Sequence, residues 1–293
     1  MSTFANWLEG ARPRTWPAAV SPVLAASGVA WHYDAFDLTL ALLCLLVAFA
    51  LQVGVNFAND YSDGIRGTDA DRVGPMRLVG SGAASPQTVK LAAFACFGVA
   101  ALAGLAIVAL SGHWWLLAVG VACILAAWYY TGGKRPYGYA GLGELFVFIF
   151  FGLVAVLGTV YVMLDRVPWA AVWVACAIGF LACAILVANN LRDLHGDIKA
   201  GKKTLATRLG DGGTRWFYIA LLFAAVIAVV LAGTASNMRA AMPGLLFVVV
   251  VLPAMRRVRE GATGKDLIAV LKATGIAELV CAIGLFVGYL VAA

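Results

Sequence analysis

The chain has 293 residues, of which 63% are hydrophobic and 12% charged, against about 25% charged in soluble domains, and that deficit excludes a globular protein surrounded by water. The net charge of +6 fits attraction to anionic lipid better than nucleic-acid binding. Six cysteines, Cys44, Cys96, Cys123, Cys176, Cys183 and Cys281, lie in apolar stretches without a CxxC pair, so they read as packing residues rather than disulfides or metal ligands.

Crossing about 30 Å of hydrocarbon takes about 20 apolar residues in a helix. Continuous runs of Leu, Ala, Val and Gly favour helices over a barrel of short alternating strands. In chain order the predicted spans are 16–33, 38–58, 88–110, 114–131, 142–163, 169–190, 215–233, 240–255 and 268–292. The sequence therefore predicts an all-α integral membrane protein of nine transmembrane helices, one domain over 1–293. The first span lacks a convincing cleavage site and reads as a retained helix. With the N-terminus inside, every Lys and Arg except Arg166 and Arg239 falls on the cytoplasmic side, as the positive-inside rule requires. That orientation places the chain in the cell's inner (plasma) membrane.

Two inner links, about 59–87 and 191–214, hold most of the polar chemistry. The first begins with Asn56-x3-Asp60-x2-Asp63, with Asn59 beside it and Arg66, Arg72 and Arg77 following. On a helix, residues 56, 60 and 63 share one face. The second reads Asn189-Asn190-x-Arg192-Asp193-x3-Asp197, followed by Lys199, Lys202 and Lys203. The likeness suggests two related halves around one cavity. Four carboxylates facing each other in a low-dielectric site repel strongly, and magnesium, which takes oxygen ligands and shares substrate phosphates, relieves that. Acids holding magnesium, ringed by Arg and Lys, suit a diphosphate, and the spans suit its long apolar tail.

These residues carry a resemblance. ARPRTWPAAVSPVLA near Arg12, NDYSDGIRGTDADRVGPMR from Asn59, YTGGKRPYGYAGLGEL from Tyr130 and NNLRDLHGDIKAGKKTLATRLG from Asn189 resemble the UbiA superfamily of membrane aromatic prenyltransferases. The resemblance implies a nine-helix bundle around a central cavity with a lateral opening. It implies that Asp60, Asp63, Asp193 and Asp197 bind Mg2+ and diphosphate, and that Asn56 and Asn189 line the same pocket. Asn59, Asn190, Arg66, Arg72, Arg77, Arg192 and Lys202, which lie beside those acids on the same membrane side, are the further candidate substrate-binding residues. Tyr130-x3-Lys134 matches the family's YxxxK element, with Lys134 on the diphosphate. The YTGG and PYGYxGLGE blocks resemble the naphthoate branch. They imply transfer of a polyprenyl group from an all-trans polyprenyl diphosphate to 1,4-dihydroxy-2-naphthoate in menaquinone biosynthesis. Gly67, where hydroxybenzoate-type relatives carry an Asp, argues against that acceptor. The aromatics Trp128, Tyr129, Tyr130, Tyr137 and Tyr139 are placed to shield a carbocation.

Other readings stand beside this one. Homogentisate or another phenolic acid could replace the naphthoate. A cation-coupled transporter would bind at the midplane on broken helices, whereas these acids cluster at one face. The Asp60-x2-Asp63-Gly64 start of a CDP-alcohol phosphotransferase signature lacks its Ala-Arg pair and its closing acids. Glu278 inside the last span reads equally as a functional acid or an interhelical hydrogen-bonding group. Glu144 reads as helix capping or pocket, and His195 as a loop residue. Arg256, Arg257 and Arg259 read as topology alone.

Overall fold

The computed structural model describes residues 3–67 and 76–292, so Arg72 and the acids Asp69 and Asp71 lie outside the described residues. Ten helices and no strand run through these residues. They are α1 Phe4–Gly10, α2 Pro17–His32, α3 Leu38–Arg66, α4 Pro86–Ser111, α5 Leu116–Tyr129, α6 Gly143–Leu164, α7 Trp169–Lys199, α8 Leu205–Thr234, α9 Met238–Arg259 and α10 Asp266–Val291. Seven of them, α3, α4 and α6 to α10, are long and apolar enough to cross a membrane. The helices α2 and α5 have 16 and 14 residues. The remaining element, α1, is a 7-residue turn of helix capped by Thr3, too short for periodicity to announce.

Both acidic motifs prove helical. The helix α3 continues past the expected boundary at 58 to Arg66, where Gly67 takes a left-handed turn (φ +68°). The helix α7 continues through Gly196 to Lys199, and α8 opens with a short helical turn from Leu205 that breaks at Gly210 (φ +68°), so its long part starts just after 210 rather than at 215. Hydropathy marks only the part of a helix that lipid surrounds; the ends that reach water are free to be polar.

Large side chains such as Leu42, Leu102, Leu125, Phe223 and Val249 point outward and are exposed. In water such a surface would be a liability; in lipid it is the expected exterior. Inside, two groups pack separately. One joins α2 and α6 to α10 around Ile178, Leu181, Tyr218, Phe247 and Leu285. The other joins α1, α3, α4 and the segment around Leu78. A small cluster of Val23, Leu40, Cys44, Ile107 and Val162 ties the groups together at one end. Between them lies a cavity of about 510 Å³.

Close packing within the first group depends on small residues, as in membrane bundles generally. A Cβ on Gly284 would lie 2.2 Å from Pro243 O, and one on Gly288 2.0 Å from Ala240 O, so α9 and α10 touch backbone to backbone. The helix α6 relaxes to π geometry over Phe148–Val154, beside Gly152, which meets Gly179 of α7. Phe150, Phe151 and Val154 of that stretch line the cavity. Such widened turns recur at functional sites.

Glu278 is fully buried in α10, and neither carboxyl oxygen has a hydrogen-bond partner among the described residues. Of its two readings, the interhelical hydrogen bond is not made to any of the described residues. An unpaired buried polar group costs about 1–3 kcal/mol, so Glu278→Met is expected to raise the thermal unfolding midpoint in detergent with turnover unchanged. A lower midpoint would show that the carboxyl is paired in the membrane.

Candidate active site

The cavity is polar at one end and apolar along the rest. Its polar end gathers Asn56, Asn59, Asp63 and Arg77 from one side and Asn189, Asn190, Asp193, Asp197 and Lys202 from the other. Arg12, Thr15, Thr131, Tyr130, Tyr137 and Tyr139 complete it. The two acidic helix ends, 133 residues apart between Asp60 and Asp193, thus meet across one space. The rest of the wall is Val23, Val47, Leu51, Leu105, Ile107, Ile124 and similar residues.

On the α3 side, Asp63 accepts a hydrogen bond from the Tyr139 hydroxyl and pairs with Arg77 at 3.5 Å. Both groups of that ion pair are nearly buried, which strengthens their attraction over a surface pair. Asn59 Oδ1 accepts from Thr131 Oγ1 at 2.7 Å. Asn56 Nδ2 donates to Ala11 O at 3.0 Å and to Thr15 Oγ1 at 3.1 Å, and Gln52 Nε2 donates to the same hydroxyl at 2.9 Å. These bonds dock the 11–15 turn on α3. Arg12, at the head of that turn, sits in the left-handed region at φ +52°. A non-glycine residue there is strained by about 1–3 kcal/mol, a cost usually met at functional sites. The docking carries Arg12 into the cavity.

On the α7 side, Arg192 clamps Asp193 through two bonds of 2.7 Å and also donates to Asn189 Oδ1 at 2.8 Å. A bidentate guanidinium fixes both the position and the rotamer of the carboxylate. Asp197 faces Lys202 at 3.7 Å, and the Lys202 ammonium lies 4.7 Å from the Tyr139 ring centre. Burial pushes the Tyr137 phenol up, with the neighbouring Tyr130 adding to the shift, so it serves as a neutral aromatic face.

Comparison with known proteins follows from this arrangement. The sequence pattern of the UbiA prenyltransferase family matches residues 19–289. The chain belongs to this family. It is 52% identical over 283 residues to the 1,4-dihydroxy-2-naphthoate octaprenyltransferase of Mycobacterium tuberculosis, covering 97% of this chain and 96% of that protein. The enzyme of the same name from Escherichia coli is 39% identical over 231 residues, 77% of this chain and 75% of that one. Among solved structures, a UbiA homolog from Archaeoglobus fulgidus bound to GPP and Mg2+ superposes with a TM-score of 0.72 at 18% identity, covering 98% of each chain. The apo UbiA homolog from Aeropyrum pernix gives 0.74 at 17% identity, over 92% of this chain and 97% of that one.

Within this UbiA-family chain several expected site residues are placed elsewhere. Asp60 does not line the cavity: Oδ2 accepts from the Leu78 backbone N–H at 2.8 Å and Oδ1 from Val79 at 2.9 Å. It clamps the returning 77–79 segment to α3, and so carries Arg77 to Asp63. Arg66 donates to the backbone carbonyls of Thr131 and Gly133, pinning that turn rather than facing substrate. Lys134 is exposed and outside the cavity wall, because α5 ends at Tyr129 and Gly133 (φ +75°) turns the chain away. Arg192 is behind the wall and acts through Asp193. Trp128 and Tyr129 also lie off the cavity, Trp128 against Phe94. His195 is an exposed residue of α7, not of a loop.

Arg12 and Thr15 went unassigned in the sequence, although they sit inside the ARPRT block. The charge of Arg12 had a sufficient account in topology and Thr15 carried no signal of its own; only Asn56 and Gln52, some forty residues away, show where the turn docks.

Proposed function

We propose that this protein transfers a polyprenyl group from an all-trans polyprenyl diphosphate to 1,4-dihydroxy-2-naphthoate, releasing diphosphate and CO2 and giving demethylmenaquinol. The observation that carries the reading is a long apolar cavity whose one polar end is walled by two acidic helix ends and three cations. The name borne by relatives 52% identical over nearly the whole chain supports the acceptor. We take α2 and α5 as crossing too, which makes nine transmembrane helices. The polar end faces the cytoplasm of a plasma membrane, a topology supported by the one-sided placement of Lys and Arg.

Among the described cavity residues, Asp63, Asp193 and Asp197 face Arg12, Arg77 and Lys202, so their formal charges cancel. A diphosphate adds several negative charges to that balance, which favours further cations. The available donors are carboxylate and amide oxygens without sulfur or imidazole, a hard set that fits magnesium. Among the described residues no three acids gather into an ion site of their own. Asp63 on one side, and Asp193 and Asp197 on the other, would each hold magnesium through one or two carboxylates together with the diphosphate, a reading supported by the Mg2+-bound structure of this fold. When bound, magnesium supplies neutralisation of the charge that gathers on the leaving diphosphate.

The chain's own residues do the rest. Arg12, Arg77 and Lys202 grip the diphosphate oxygens at fixed positions, which lowers the cost of charge build-up as the carbon–oxygen bond breaks. The apolar wall takes the polyprenyl tail at about 0.8 kcal/mol per buried CH₂ and keeps water from the allylic cation. The faces of Tyr130 and Tyr137 stabilise that cation by their π electrons. The electron-rich ring then forms the new carbon–carbon bond as the bond to diphosphate breaks. The carboxylate leaves as CO2, and any proton lost from the alkylated carbon is matched by one taken up where CO2 departed, so the naphthoate becomes the quinol with no net proton released.

Purified protein incubated with magnesium, an all-trans prenyl diphosphate and dihydroxynaphthoate is expected to yield the prenylated naphthoquinone by mass spectrometry. Excess EDTA should abolish the product and added magnesium restore it. Product from homogentisate or 4-hydroxybenzoate alone would overturn the acceptor, and full activity in EDTA the metal.

A further inference from the structure

We propose that Glu144 positions the aromatic acceptor, acting through Asn190, and thereby makes the site select a ring that presents a hydroxyl donor. The inference rests on the acceptor chemistry proposed above. It concerns a buried acid that the diphosphate chemistry leaves unused.

Glu144 opens α6 and is 6% exposed. Its Oε1 accepts a hydrogen bond from Asn190 Nδ2 at 2.9 Å, while Oε2 is buried without a partner among the described residues. A buried carboxyl half unpaired is poor packing chemistry, so stability is a weak account of an acid here. Asn190 lines the cavity, and its Oδ1 accepts nothing from the described residues.

The carboxylate settles which way the amide faces. With Nδ2 bonded to Glu144, a flip would set Oδ1 against a carboxylate oxygen, two acceptors in contact. Asn190 therefore offers the cavity a hydrogen-bond acceptor. A hydroxyl can donate to it; an ether or a ketone cannot.

The depth is right for the acceptor ring. Asn190 precedes Asp193 by three residues, about 4.5 Å of helix rise toward the apolar end. A diphosphate held at Asp193 puts its allylic carbon near that level. Four aromatic rings belong to the same cavity wall. Tyr130 meets Tyr137 at 5.5 Å, Tyr137 stacks on Phe146 at 4.0 Å and Phe146 on Phe150 at 6.0 Å. Phe146 follows Glu144 by two residues, so the flat apolar face and the oriented amide are fixed by the same helix start. A Cβ on Gly143 would lie 3.3 Å from Leu186 and 3.7 Å from the Tyr130 hydroxyl, which shows how closely that start is held.

The test is steady-state kinetics of Glu144→Leu, Glu144→Gln and Asn190→Leu with each substrate varied in turn. Glu144→Leu and Asn190→Leu are expected to raise the KM for dihydroxynaphthoate about tenfold or more and to leave the KM for prenyl diphosphate within about twofold. Glu144→Gln, which can still accept from Asn190, should fall between Glu144→Leu and the parent. In the parent, 1-hydroxy-2-naphthoate should inhibit better than its methyl ether; this preference should vanish in Glu144→Leu and Asn190→Leu and shrink in Glu144→Gln. Equal rises in both KM values, or unchanged values in all three variants, would overturn the proposal. If Glu144→Leu does not fold, Glu144→Gln and Asn190→Leu carry the same comparison. A parent that makes no product from dihydroxynaphthoate would instead refute the proposed function, so the two failures are separable.

Discussion

Asp63→Asn and Asp193→Asn are each expected to lower turnover about 100- to 1000-fold, the range seen when one preorganised electrostatic partner is removed from a water-excluded site. The substitution keeps volume and one acceptor oxygen. Asn at 63 can still receive the Tyr139 hydroxyl, and Asn at 193 can still accept one bond from Arg192. Each variant also leaves a near-buried guanidinium without its carboxylate, so the thermal midpoint should fall too, and turnover is compared per folded molecule. What is lost is the negative charge, and with it the hold on a hard cation and the counterweight to Arg77 and Arg192. If these carboxylates bind magnesium, each variant should also need more of it for half-maximal rate. A variant that keeps more than about a tenth of parental turnover would take that residue out of the site, because the lost term would then be smaller than one such electrostatic contact.

The sequence went far in this chain because its two motifs state their geometry locally. Spacing of i, i+4 and i+7 set Asn56 and Asp63 on one helical face, and the same holds for Asn189 and Asp193. That both acidic ends lie at one end of the bundle followed from the count of spans between them. Failures arose where a position depends on a distant partner or on the end of a helix. On an ideal helix Asp60 and Asp63 differ by about 60° around the axis. That is a shared face by the usual rule, yet enough for Asp63 to meet the cavity while Asp60 meets the returning backbone of Leu78 and Val79. Tyr130 and Lys134 are four apart but not on a helix, so their spacing carried no direction. Arg66 was read by its charge, whereas its planar donors are taken up by two carbonyls of a glycine turn. No local pattern encodes a carbonyl's need for a donor.

Asp60 offers the sharpest contrast with its neighbour. Asp60→Ala is expected to destabilise the protein by about 2–6 kcal/mol, since two backbone N–H groups packed against α3 lose their acceptors at about 1–3 kcal/mol each. Asp60→Asn should be nearly as harmful. One of its two acceptors becomes an amide that meets an N–H donor head-on. Loss of the clamp frees the segment that carries Arg77, so activity falls with stability in both variants. A residue acting only as a metal ligand behaves otherwise: removing it relieves repulsion in the resting site, lowers turnover and leaves the unfolding midpoint at or above that of the parent. Thermal unfolding in detergent together with turnover per folded molecule separates the two. An Asp60→Ala protein as stable as the parent but inactive would return this residue to the metal site. An Asp60→Ala protein that unfolds early and loses turnover in step with its folded fraction would establish that one acidic motif divides its labour: Asp63 faces the chemistry, and Asp60 holds in place the chain that brings its cation.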